Sequence, residues 1–66
     1  MISPGNKVRL RSLGRRSRLL HIVAIVDDDF IVFKEWRRSK KYWAYEIEHR
    51  YWFDARRESG LIEVVK

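Results

Sequence analysis

Cationic and aromatic side chains are the residues of this chain whose types and spacing indicate chemistry. All nine aromatic residues fall between positions 30 and 53, and lysines and arginines are interleaved with them. Aromatic rings can stack on unpaired bases, and guanidinium or ammonium groups can bind phosphates. The same rings can instead form a core, which a chain of 66 residues needs because it buries only about 60% of its unfolded surface. The role of each ring therefore depends on the strand face that carries it.

Basic residues are concentrated in two segments of the chain. The sequence has 15 basic and 9 acidic residues, a net charge of +6, and no acidic residue precedes Asp27. Such a positive field favours polyanionic partners, although solvated loops would have the same composition. The candidate nucleic-acid-binding residues are Arg9, Arg11, Arg15, Arg16, Arg18, Arg37, Arg38, Lys40, Lys41 and Tyr42.

The sequence offers few groups for catalysis or metal binding. It contains no cysteine, and a zinc site needs about three protein ligands, whereas His21 and His49 have no evident third partner. The run Asp27-Asp28-Asp29 is typical of a turn, and its spacing matches no calcium loop. Glu46 and Glu48 would share a strand face, where cross-strand basic residues are their expected partners. We therefore predict a protein that is not an enzyme and needs no cofactor and no metal.

Alternating hydrophobicity predicts a succession of short strands. An entry turn at 1–6 is followed by strands at 7–13, 19–26, 30–36, 42–48 and 61–65, basic loops at 14–18 and 37–41, an acidic turn at 27–29 and a helical turn at 50–58 capped by Gly60. A helix is the rival interpretation of 42–51, because apolar residues recur there at intervals of four. The clean alternation of 42–48 favours a strand.

Strand alternation also predicts which side chains are buried. Val8 and Leu10 should face the core, with the cations between them facing water. Tyr42 faces away from Trp43, Tyr45 and Ile47 in the predicted strand 42–48. It is therefore the ring expected at the surface, where it could stack a base. The residues of the aromatic segment assigned to the core are Phe30, Trp36, Trp43, Tyr45 and Ile47.

The layout resembles the SH3-like small barrels, a group that includes Tudor and KOW-type domains. The resemblance covers residues 6–65 and rests on the opening PGNKVRL, the long loop after the first strand and the helical turn before the last strand. It implies an all-β fold, a single domain over 1–66 built as a five-stranded SH3-like barrel. It implies no site residues, because a family motif such as the ALYDY-like segment of peptide-binding SH3 modules is absent.

The predicted function is non-catalytic binding of nucleic acid, DNA or RNA, alone or within a larger nucleic-acid complex. The two basic loops would contact phosphates. The alternative is a protein–protein interaction module or homodimer that uses an exposed aromatic patch. No apolar run approaches the roughly 20 residues of a membrane span, and the N-terminus lacks the apolar segment of a signal peptide. We therefore expect no membrane partner and a cytoplasmic location.

Overall fold

The computed structural model describes residues 2–12, 14 and 16–65, which form one antiparallel sheet and one helix. The elements in chain order are β1 (Lys7–Leu10), β2 (Arg18–Val26), β3 (Phe30–Arg37), β4 (Tyr42–His49), α1 (Arg50–Glu58) and β5 (Ile62–Val65). This confirms the predicted all-β class with a short helix before the last strand.

The five strands lie in the order β4-β3-β2-β1-β5. Strands adjacent along the chain are neighbours from β1 to β4, and β5 pairs with β1 on its other side. The strands β4 and β5 form the two edges, and α1 contacts both of them. The predicted barrel is therefore not confirmed, because the sheet is not closed at these edges.

One face of the sheet carries the hydrophobic core, and we call it the inner face. Phe53 of α1 is buried against it, and Trp52 stacks on Phe33 with ring centroids 6.0 Å apart. Val8 and Leu10 are buried as predicted. The buried residues are Ile2, Val8, Leu10, Leu20, Ile22, Ile31, Phe33, Phe53 and Ile62. Because all of them are apolar, burial of hydrocarbon surface holds α1 to the sheet.

Two turns form where the sequence predicts them. Asn6 N–H donates to the carbonyl oxygen of Ser3 at 3.1 Å, and Gly5 between them has a φ of +93°, as the third position of a type II turn requires. Asp27 and Asp28 both have positive φ, the combination found at the centre of type I′ hairpins. Aspartate tolerates this conformation better than most residues because its short side chain can hydrogen-bond locally.

The helix α1 has defined caps at both ends, and its predicted limits are confirmed. At its start, Nδ1 of His49 accepts a hydrogen bond from Tyr51 N–H at 3.0 Å. At its end, Gly60 with a φ of +80° donates to Arg57, and Leu61 N–H donates to Arg56 at 2.8 Å. This pair of bonds is a Schellman motif, which favours glycine because the residue must take a left-handed conformation.

The boundaries of all five predicted strands differ from those observed, by one residue in β2 to β5 and by three in β1. β1 ends at Leu10 instead of continuing to 13, and Leu13 itself lies outside the described residues. β2 begins one residue early, because Arg18 is extended and pairs with Leu10. Arg37 likewise belongs to β3 rather than to the following loop. The basic loops are therefore 11–17 and 38–41.

The assignment of the large aromatic side chains to the core is wrong. Register places them on the outer face, opposite to α1, because the core side of β3 is formed by Ile31 and Phe33. A bulge between Ile22 and Ala24 also shifts the alternation of β2. The exposed side chains predicted to be buried are Phe30, Trp36, Trp43, Tyr45 and Ile47, which keep 38–63% of their surface in solvent.

Candidate functional site

The two basic loops leave the same end of the sheet, which we call the basic end. Leu10 pairs with Arg18 across the first loop, and Arg37 pairs with Tyr42 across the second. Because β2 and β3 are antiparallel neighbours, the start of β2 lies beside the end of β3. Both loops therefore begin along one edge of the molecule, and the Asp27–Asp29 turn lies at the opposite end.

The first loop forms a polar depression bordered by two arginines. Arg9 donates to the hydroxyl of Ser17 at 3.3 Å, and Arg11 donates to the Glu63 carboxylate at 2.7 Å. Arg9 is 4.0 Å from the same carboxylate. Ser12 completes the lining of this depression. Two guanidinium groups thus share one carboxylate, so the pocket has an excess of hydrogen-bond donors and positive charge.

The second loop presents its cations to solvent. Arg38, Lys40 and Lys41 are exposed, and Lys41 N–H donates to the Arg37 carbonyl at 2.7 Å. Within the described ranges, neither these three residues nor Arg16 of the first loop takes part in an ion pair. The predicted contact residue Arg15 lies outside the described residues. These side chains can therefore meet an external anion without breaking an internal pair.

Arg18 and Arg37 contact carboxylates instead of standing free in the loops. Arg18 donates to both oxygens of Glu35, at 2.9 and 2.8 Å, and its guanidinium is 3.5 Å from Glu46. Arg37 lies 3.4 Å from Glu35 and 3.7 Å from Glu46. The hydrogen bond from Arg18 holds the pKa of Glu35 below its usual range, against the opposing effect of burial. We call these four residues the ion network, and it ties β2, β3 and β4 together beside the basic end.

Tyr42 is exposed, as predicted, and lies at the first position of β4. Its neighbours of the same parity along β4 are Ala44 and Glu46, so it belongs to the inner-face set rather than to the row of larger rings. The structure therefore places Tyr42 beside the ion network and apart from Trp43. The two rings therefore belong to opposite faces of β4.

The outer face carries an aromatic cluster that the sequence did not assign to the surface. Trp43 is central to this cluster, with the Trp36 ring centroid 5.3 Å away and the His21 ring centroid 5.1 Å away. Lys34 Nζ stands 4.5 Å from the centroid of the Trp43 ring, within the range of cation–π attraction. Tyr45 pairs with Lys34 across the strands and exposes 61% of its surface. The exposure of these rings follows only from the pairing of the strands, because β3 has apolar side chains on both faces and alternation alone does not show which face is buried.

Burial lowers the pKa of His21, and the nearby charges of Lys7 and Lys34 lower it further. The three side chains lie in one row of the outer face, since Lys7 pairs with His21 and His21 with Lys34. A depressed pKa keeps the imidazole neutral near pH 7. The row therefore presents a flat, uncharged ring with one lysine on each side of it.

The remaining candidate residues have structural roles. His49 caps α1, and Asp29 accepts a 2.6 Å hydrogen bond at its carbonyl from Arg50 N–H. Across residues 2–12, 14 and 16–65, no group of three His, Cys, Asp or Glu side chains is placed to hold a metal ion. In the same part of the chain, no helix is both long and apolar enough to cross a membrane.

Comparisons with protein-family models, with curated proteins and with solved structures find no match to this chain. Function is therefore inferred from the geometry of its own residues.

Proposed function

We propose that this protein binds nucleic acid non-catalytically, with its two basic loops contacting phosphates. The observation that carries the proposal is that loops 11–17 and 38–41 leave the same end of the sheet. Cations that are separate in sequence thereby act on one stretch of a polyanion. The exposed cations assigned to this contact are Arg16, Arg38, Lys40 and Lys41.

The depression at Arg9 and Arg11 supports the same ligand class. Phosphate oxygens accept hydrogen bonds from guanidinium and hydroxyl groups, and both are present there, the hydroxyls being those of Ser12 and Ser17. A phosphate in this position would compete with Glu63, which now accepts from Arg11. Arg18 and Arg37 are not phosphate contacts in this proposal. Their ion pairs with Glu35 and Glu46 instead hold together the strand ends from which the two loops leave.

We propose as well that the sheet belongs to the SH3-like barrels. The support is the strand order with β5 beside β1, the long first loop and the helix between β4 and β5. The bulge in β2 adds curvature to the sheet, as bulges do. NMR contacts between β4 and β5 test this assignment, and edges turned away from each other would contradict it.

Salt dependence of oligonucleotide binding is the direct test of the function. If the four exposed loop cations each neutralise one phosphate, raising salt from about 50 to about 200 mM should weaken duplex binding about 150-fold and single-strand binding about 50-fold. Fluorescence anisotropy with labelled oligonucleotides at both salt concentrations measures this. Absence of binding to either form at the lower salt would refute the proposal.

Two arginine variants provide a matched comparison. Arg38→Ala removes an exposed cation at the basic end, whereas Arg57→Ala removes an exposed cation of α1 that belongs to neither basic loop; the Arg57 side chain lines a pocket with Ile25 and Ile31. The net charge changes equally in both. We expect Arg38→Ala to reduce the salt slope by about 0.9 for duplex and Arg57→Ala to leave it unchanged. Equal effects would mean that binding follows net charge alone.

The exposed outer face favours a second candidate function, contact with another polypeptide or a second copy of the chain. Large apolar side chains such as Ile47 and Tyr45 stand on a sheet face without a covering layer. Exposed apolar patches of this kind commonly mark interfaces. Sedimentation at several protein concentrations tests self-association, and a monomer throughout would contradict the homodimer.

A further inference from the structure

The aromatic cluster of the outer face exposes apolar surface to water, although the fold does not need these rings. The core is complete without it, since α1 and the inner face bury Phe33 and Phe53 almost entirely. Trp36, Trp43 and Tyr45 nevertheless occupy outward positions in the two adjacent strands β3 and β4. Polar side chains at these positions would keep the sheet soluble, so the rings indicate a binding surface.

Positive charge surrounds the rings on this face. Lys34 lies over Trp43, and Lys7 belongs to the same cross-strand row through His21. Arg9 stands in the neighbouring row. Among the outward strand positions of the described residues, the single carboxylate is that of Glu63, and two arginines already contact it. The ligand of this face should therefore be aromatic or apolar in part and negatively charged in part.

The position of the rings relative to the loops identifies such a ligand. Trp36 is the last residue but one of β3, and Trp43 is the second residue of β4, so both rings lie close to the 38–41 loop. Trp43 and Tyr45 are two residues apart on one strand face, a spacing of about 6.8 Å, so each ring can accept a separate base. A chain whose phosphates contact the loops can thus lay its bases on the rings.

We propose that the outer face is a base-stacking platform for unpaired nucleic acid, with bases on Trp43, Trp36 and Tyr45 and phosphates near Lys34 and Lys7. The inference rests on the proposed function and narrows its ligand to single strands. In a duplex, neighbouring base pairs cover the faces of the bases, so the rings would have nothing to stack on.

A second copy of the chain is the less favourable occupant of this face. Docking two outer faces around a twofold axis would bring the cations of one copy, Lys7 and Lys34, towards those of the other. Like charges placed together at an interface oppose association. A single strand supplies phosphates to the same cations, so its charge is complementary where that of a second copy is not.

The experiment compares a thymidine oligonucleotide of about 15 nucleotides with a duplex of equal length, using Tyr45→Ala and Trp43→Ala. Removing a stacked ring should weaken single-strand binding roughly 5- to 150-fold per base. Duplex affinity should change less than about 2-fold, because the loop cations are intact. Wild-type tryptophan fluorescence should be quenched by the single strand. Tyr51→Ala, which removes a ring 79% exposed on α1, is the matched control and should have no effect on either affinity.

The outcomes separate this inference from the proposed function. If both variants bind single strands as tightly as wild type, the stacking platform is refuted, whereas salt-dependent binding through the loops stands. If wild type binds neither form, both proposals are refuted. If sedimentation shows a dimer that Tyr45→Ala dissociates, the face is a self-interface and the platform is refuted. Tyr45 packs less than Trp43, so its variant remains informative if Trp43→Ala fails to fold.

Discussion

Replacing Arg18 with alanine should reduce the stability of the protein more than its affinity for nucleic acid. The guanidinium makes two short hydrogen bonds to Glu35, a side chain that is only 14% exposed. Hydrogen bonds to charged groups contribute about 1.5–3 kcal/mol each. Arg18 itself is 35% exposed, and Arg37 remains 3.4 Å from the same carboxylate, so solvent and the second arginine offset part of the loss. We expect a net cost of about 1–3 kcal/mol.

This cost is a large share of the stability of so small a protein. At about 0.05–0.15 kcal/mol per residue, the whole chain should have an unfolding free energy of roughly 3–10 kcal/mol. The melting temperature of Arg18→Ala should accordingly fall by about 5–20 °C. Urea and thermal denaturation followed by circular dichroism at pH 7 measure both quantities.

Arg16 supplies the matched control because it lies two residues earlier in the exposed loop. In the part of the chain that the structure describes, it forms no ion pair. Arg16→Ala should change the unfolding free energy by less than about 0.5 kcal/mol and should weaken oligonucleotide binding. Arg18→Ala is thus expected to lower mainly the stability, and Arg16→Ala mainly the affinity for oligonucleotides. In the sequence the two arginines belong to one basic cluster.

The pH dependence gives an independent check of the Arg18 prediction. The pKa of Glu35 is lowered chiefly by the hydrogen bond from Arg18. A depressed pKa contributes stability that is fully present above the unfolded value and is lost as pH falls through the folded value. The difference between wild type and Arg18→Ala should therefore narrow in acid. Equal stability at pH 7, or a difference that persists unchanged below the pKa of Glu35, would refute the role of the ion network.

Two further predictions concern the core and the outer face. Phe53→Ala should cost about 3–5 kcal/mol and sharply lower the melting temperature followed by circular dichroism, because Phe53 is the buried anchor of α1, whereas Tyr51→Ala on the same helix should be neutral. The pKa of His21, measured by NMR titration, should lie below the ordinary value of about 6.5 and should rise in Lys34→Ala, which removes one repelling charge. A His21 pKa at or above the ordinary value would contradict the geometry of that row.

Local signals in the sequence predicted the elements well. The helix over 50–58 and its glycine cap are confirmed, as is the hairpin around the three aspartates. These features depend on residues close together in the chain: Gly60 because its φ is positive, and Asp27 and Asp28 because they occupy the centre of a tight turn. Such requirements can be recognised from a few neighbouring residues.

The sequence could not show which face of β3 and β4 is buried. Alternation divides a strand into two sets, and β3 has apolar residues in both, with Ile31 and Phe33 in one and Val32 and Trp36 in the other. The choice is made by α1, which covers the first set. Choosing the wrong set moves every side chain to the opposite face, which is why the sequence alone predicts that the aromatic residues of β4 are buried.

The role of Arg18 was also beyond local reasoning. Its carboxylate partners lie 17 and 28 residues away, on β3 and β4. A basic run in sequence does not distinguish an arginine bound to an internal carboxylate from one that is exposed. The separation between Arg16 and Arg18 therefore emerges only when strand register is known.

The pairing of β5 with β1 has a consequence for the order in which the protein folds. From β1 to β4 each strand pairs with the next along the chain, so each of these hairpins closes a loop of at most seven residues. β5 must instead return to the first strand, and the Arg11–Glu63 contact spans 52 residues. Closing so long a loop costs more chain entropy than forming a hairpin and slows the step that depends on it. The meander should therefore form first, and docking of α1 and β5 should complete the core and bring Glu63 to Arg11.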